Sequence, residues 1–132
     1  MIFIDSNVPM YLVGSSQRHQ LDTERVLARL IEGGKRLVTD AEVFQEILHR
    51  YSAIERPQAI QPAFEVLLQI LDGVFPLDLA DVQRAKEILL SVSGLSSRDA
   101  LHAATMERHE VHEIFTFDAG FDLLPGVRRI SR

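Results

Sequence analysis

The 132-residue sequence contains no cysteine, which excludes disulfide frameworks, thiolate zinc sites and cysteine nucleophiles together. No apolar run approaches the roughly 20 residues that span a bilayer, so no contact with a membrane is expected. The opening stretch, Met1 to Met10, has no basic region leading into a long apolar one and does not read as a secretory signal. Internal repeats, low-complexity tracts and Pro/Gly/Ser-rich linkers are absent as well, so one domain over residues 1–132 is expected. Aromatic residues are few, at 7%, and no aromatic-rich basic ribbon suggests stacking on bases. Basic residues are outnumbered too: 14 Lys and Arg face 19 Asp and Glu, a net charge of −5. That balance argues against a protein that holds nucleic acid by bulk charge alone. What is present is an ordinary globular composition, 46% hydrophobic and 25% charged, which excludes a largely disordered chain. A soluble, cytoplasmic protein is the expectation. The open question is where the surplus carboxylates sit.

Short apolar runs alternate with helical patterns along the chain. Ile2-Phe3-Ile4 reads as a buried strand that stops at Asp5. Val26, Leu27, Leu30 and Ile31 recur at helical spacing over residues 21–32, and Gly33-Gly34 end that helix. Leu37-Val38 is a short strand, after which Asp40 can cap a helix with the stripe Phe44, Ile47, Leu48 and Tyr51. A helix is predicted over 57–71, with Pro57 suited to its first turn. It carries two apolar stripes, one through Phe64 and Leu67 and a second through Ala59, Val66 and Ile70. The second stripe packs either against another chain or into a broad core of its own domain.

Val74-Phe75 is a brief strand, and Asp78 caps a helix through Val82, Ala85, Ile88 and Leu89. Ser96-Ser97 open another, whose Ala100, Ala103 and Ala104 form a face able to approach a sheet closely. A strand over 113–117, a turn or short helix over 118–124 and a last strand over 127–130 complete the chain. This alternation predicts an α/β fold with a mostly parallel central sheet between helical layers.

In open parallel sheets, function gathers outside the carboxyl ends of the strands. Two strands here run into carboxylates, IFID at Asp5 and IFTFD at Asp118. Taken singly, either acid could serve as a helix N-cap. Glu46 lies beside the apolar stripe of its helix, and Glu42, one turn earlier, could take its place. Asp99 stands three residues after Ser96, where it could complete a variant capping box or turn towards a ligand. If Asp5, Glu46, Asp99 and Asp118 converge, their mutual repulsion calls for a cation. Oxygen-only ligands select hard divalent ions, so Mg²⁺, with Mn²⁺ as substitute, is favoured over zinc. Such an ion suits phosphodiester hydrolysis by an activated water.

At these residues the chain resembles the PIN-domain ribonucleases, and most closely the VapC toxins of prokaryotic toxin–antitoxin pairs. The resemblance runs nearly end to end, through FIDSN, VTDAEVFQEILHRY, SSRDALHAATMERH and IFTFDAGFDLLPGVRRI. It implies that the four family acids fall on Asp5, Glu46, Asp99 and Asp118, which favours Glu46 over Glu42. It also implies accessory roles for Asn7, Thr116 and Asp122. One departure is Thr39-Asp40, where a Thr-Ser pair is more familiar. The resemblance further implies a three-layer PIN fold, Mg²⁺-dependent endoribonuclease activity, a homodimer and inhibition by a cognate VapB-like antitoxin.

Other residues carry less. His102, three residues after Asp99, shares nearly the same helix face; with four carboxylates already available, packing or hydrogen bonding is expected of it rather than ligation. Arg50 and Arg98 are the bases nearest the acids in sequence and could contact RNA phosphates, or pair with neighbouring acids. Arg128, Arg129 and Arg132 could widen an RNA path. Two other function classes remain open. One is a non-catalytic PIN-like binding module; the other is a haloacid-dehalogenase-like phosphatase, for which Asn7 stands where a second Asp belongs.

Overall fold

In the computed structural model, which describes residues 1–132, every strand of the sheet is parallel to its neighbours. The strands are β1 (Ile2–Ile4), β2 (Leu37–Asp40), β3 (Gly73–Phe75), β4 (Glu113–Phe115) and β5 (Arg128–Ile130). Six helices connect them: α1 (Asn7–Val13), α2 (Gln17–Glu32), α3 (Ala41–Ala53), α4 (Ile60–Ile70), α5 (Leu79–Ser91) and α6 (Ser97–Arg108). The strand order is β3-β2-β1-β4-β5, so the chain reverses its direction of travel across the sheet between β1 and β4. Residues along a strand point alternately to opposite faces, yet Ile2, Phe3 and Ile4 are all buried, as are all four residues of β2. Both faces of the sheet are therefore covered, as an all-parallel sheet requires.

The expected α/β architecture forms, and its local chemistry follows the sequence. Asp40 caps α3 by accepting the Val43 N–H at 3.1 Å. Asp78 and Asp81 form a reciprocal capping box at the start of α5, and Ser96 accepts the Asp99 N–H at 3.1 Å at the start of α6. Ala100, Ala103 and Ala104 are buried, together with His102, Thr105 and Met106.

Several elements differ from expectation. Residues 7–13 form a helix where no element was predicted, with Val8 and Pro9 buried; a proline is tolerated there because first-turn N–H groups have no helical acceptor. Helix α2 begins at Gln17 rather than residue 21, capped by Ser16. The helix predicted over 57–71 splits into a 3-10 turn at Pro57–Ala59 and α4. Its second stripe is largely used within the molecule, since Ala59 and Ile70 pack on the core. Strand β4 ends at Phe115 instead of residue 117 because the next polar groups turn elsewhere. The Phe117 N–H donates to Asn7 Oδ1, and the Asp118 N–H donates to Thr116 Oγ1. No helix is long and apolar enough to cross a membrane.

Candidate active site

Strand β1 delivers Asp5 and the segment after β4 delivers Asp118 on either side of the point where the strand order reverses. Helix α3 adds Glu46 and the first turn of α6 adds Asp99. All four line one cleft of about 360 Å³ together with Ser6, Asn7, Gly94, Ser96, Arg98 and Gly120. No apolar side chain is among them. The sequence-predicted quartet is thus brought together at the carboxyl ends of the strands, where open parallel sheets bind ligands.

Asp5 is held most tightly. Its Oδ1 accepts the Ser6 N–H at 2.8 Å, and its Oδ2 accepts the Thr116 hydroxyl at 2.6 Å. The same hydroxyl oxygen accepts from Asn7 Nδ2 at 3.1 Å and from the Asp118 N–H at 3.0 Å. A hydroxyl has one proton and two lone pairs, so Thr116 has no capacity left for a water. Asn7 and Thr116 set the positions of Asp5 and of the Asp118 segment. Burial pushes the Asp5 carboxyl above its usual range, opposed by the His102 imidazole and the Thr116 bond.

Asp99 uses only its backbone N–H in capping, which leaves its carboxylate to the cleft. Burial, the Asp5 charge and Asp118 together push its pKa up to about 7. Asp118 accepts the Gly120 N–H at 2.8 Å. A Cβ at Gly120 would stand 3.0 Å from Asp118 Oδ1 and 3.6 Å from Asp99 Oδ2. The missing side chain is what lets these two acids share one wall.

Glu46 is 7% exposed, and its Oε1 lies 2.7 Å from His102 Nε2. His102 is fully buried behind the cleft, with Nδ1 2.8 Å from Asp40 Oδ2. Burial works to lower the His102 pKa, but Asp40 and Glu46 outweigh it and hold the imidazole well above its ordinary value. Asp5, Glu46 and His102 can each turn one donor atom to within 4.8 Å of the others. Both ring nitrogens of His102 already face carboxylates, however, so the hydrogen bonding expected of it is what the structure shows. Glu42 lies instead beside a second crevice with Val82, Leu89 and Leu101, and burial followed by the Glu46 charge raises its pKa.

Asp122 is not brought into the cleft. Its two oxygens accept from Arg129 at 3.0 Å each, a bidentate bond that turns it away from the quartet. Arg98 does line the cleft and is half-buried, whereas Arg50 does not reach it. The ion-paired arginines are Arg25, Arg84, Arg108, Arg128 and Arg129, so neither Arg98 nor Arg50 has the expected alternative of a salt bridge. Arg128, paired with Glu113, starts its strand at the amino end of the sheet and widens no path into the cleft. Sequence reasoning had not singled out Gly120, nor the part that Asp40 plays beyond capping.

The donor set fits a hard divalent cation. It offers four carboxylates and has neither histidine nor cysteine in its lining, with Arg98 the only cation there. Two of the acids are pushed towards protonation, first by burial and then by neighbouring carboxylates, a cost that a bound cation would relieve.

A parallel α/β sheet with acids at its switch point defines a class of carboxylate-centred sites, and the PIN domain family model matches residues 2–127. The chain belongs to that family. Ribonuclease VapC13 of Mycobacterium tuberculosis is 52% identical over 131 residues, covering 99% of this chain and 100% of the relative. A VapC ribonuclease of Mycobacterium bovis matches with the same identity and coverage. Among solved structures, VapC20 of Mycobacterium tuberculosis, a sarcin–ricin-loop-cleaving toxin, superposes with a TM-score of 0.78. It is 20% identical and covers 97% of this chain and 99% of that one. VapBC2 of Rickettsia felis, solved on a promoter DNA fragment, gives 0.75 at 15% identity, covering 98% of each chain. These two likenesses concern the fold.

Proposed function

We propose that the chain is a Mg²⁺-dependent endoribonuclease toxin, one PIN unit over residues 1–132, that hydrolyses RNA phosphodiester bonds in the Asp5–Glu46–Asp99–Asp118 cleft. The observation that carries the mechanism is the convergence of four carboxylates from four separate elements on one polar cleft. Asp5, Asp99, Asp118 and Glu46 would hold the ion. When bound, Mg²⁺ supplies a lowered pKa for an attacking water and positive charge for the phosphate. The protein's own part is to fix the acids. Thr116 and Asn7 hold Asp5, Gly120 admits Asp118 beside Asp99, and Arg98 at the cleft wall is free to meet a phosphate oxygen. A VapB-like antitoxin is the proposed inhibitor, supported by the VapC relatives. Self-association into a homodimer is supported by exposed Leu79, Val82, Leu89 and Leu90 on α5 rather than by α4. A cytoplasmic location accords with an RNA substrate.

A binding module without catalysis has no use for repelling acids held together, and family membership removes the phosphatase reading. In the deciding experiment, Asp5→Asn protein that keeps the parent's circular dichroism is incubated with RNA and Mg²⁺. Cleavage should fall by at least about a hundredfold. Undiminished cleavage would refute the mechanism.

A further inference from the structure

His102 sits directly behind the cleft and touches only one of the acids that line it. Its Nε2 meets Glu46 Oε1 at 2.7 Å, while Asp5 Oδ1 is 3.9 Å away. Its Nδ1 meets Asp40 Oδ2 at 2.8 Å. That same Asp40 oxygen also accepts the Thr105 hydroxyl at 2.7 Å, and Asp40 Oδ1 accepts the Val43 N–H. Asp40, His102 and Thr105 are all fully buried, and no buried polar side-chain atom is left without a partner. The ring is thus clamped from behind and has one free direction in which to act, towards Glu46.

We infer that His102 is a positioning residue for the cleft: it fixes the Glu46 carboxylate against the cleft wall, with Asp40 locking the imidazole from behind. This rests on the proposed metal-holding role of Glu46 and says how that role is enforced. A glutamate on a helix has several rotatable bonds and would sample many rotamers; a short bond to one oxygen selects one and leaves the other oxygen for the ligand. Partners of this kind behind a ligand tune affinity by restricting and orienting it. Asp40 and His102 are two halves of one contact, since a serine at position 40 would offer the ring no carboxylate.

The test uses the full chain and Mn²⁺ alone as probe, with binding followed by the electron paramagnetic resonance of free Mn²⁺. Glu46→Gln should weaken Mn²⁺ binding, and His102→Gln should weaken it by about 10–100-fold while the melting curve stays cooperative. In the double variant the two losses should not multiply, so that binding matches Glu46→Gln alone within about twofold. At saturating Mn²⁺, RNA cleavage by His102→Gln should recover most of the way to the parent. Asp40→Ser keeps a good helix cap and leaves the ring in place, so it serves if His102→Gln does not fold; its loss should likewise vanish in the Glu46→Gln background. Parent-like Mn²⁺ binding by His102→Gln or Asp40→Ser overturns the inference, as do losses that multiply in the doubles. Parent-like binding by Glu46→Gln itself overturns the site assignment, and the inference with it.

Discussion

Asp99 shows how much one carboxyl group's surroundings decide. Its pKa is pushed up to about 7, against about 3.9 for an aspartate in an unfolded chain, so the folded state binds that proton more tightly. The resulting stability is complete below the unfolded value and is lost as pH rises through about 7. Asp5 and His102, both raised, act in the same direction. The lowered groups Asp78, Glu107 and Asp122 act only at more acid pH. Metal-free protein should therefore melt at lower temperature as pH rises from about 5 to 8, and Asp99→Asn should flatten that slope in a calorimetric series. A Thr116→Val variant tests a different kind of residue. It strips Asp5 of a donor and Asn7 and Asp118 of an acceptor, which should cost about 1–3 kcal/mol in urea unfolding; Thr116→Ser should recover most of it. The acids themselves were legible in the sequence because each sits at the end of a strand or in a helix with a readable cap. The link from Asp40 to His102 was not, because 62 positions separate the two and only the packing of α6 against β2 and α3 joins them.

At the level of elements, legibility followed the strength of local signals. Helices α3, α5 and α6 begin where Asp40, Asp78 and Ser96 say they should. Helix α1 escaped because its seven residues are too few to show a full period and include a proline. Helix α4 left two readings open, a partner chain or a broad core. The structure favours the core: α4 is flanked by both α1 and α3, Ala59 and Ile70 of the second stripe pack on the core, and Phe64 of the first is set edge-on to Phe44 at 5.0 Å. Exposed apolar residues gather most densely on α5, where Leu79, Val82, Leu89 and Leu90 fall within about 100° of one another around the helix. Replacing Val82 and Leu89 together by Glu should convert a dimer to a monomer, read as mass by light scattering, without loss of helix signal. Unchanged mass in the variant would place the contact elsewhere.

For the molecule as a whole, the excess of 19 acids over 14 bases stops being a bar to nucleic acid once the acids are placed. Four line the cleft, where a bound divalent cation would offset their charge. Others cap helices or pair with arginines, as Asp78, Asp81 and Asp122 do. The sheet order that creates the cleft also puts its parts far apart in sequence: the Thr116–Asp5 bond spans 111 positions. That span governs when the cleft can first exist. A chain still being synthesised gains Asp5 long before it gains Thr116 and Asp118. A ribosome carrying a partly made copy therefore carries no assembled cleft until the segment after β4 has emerged. A chain stopped at residue 110 should cleave no RNA at any Mg²⁺ concentration, and measurable cleavage by it would show that the cleft does not need both ends of the sequence.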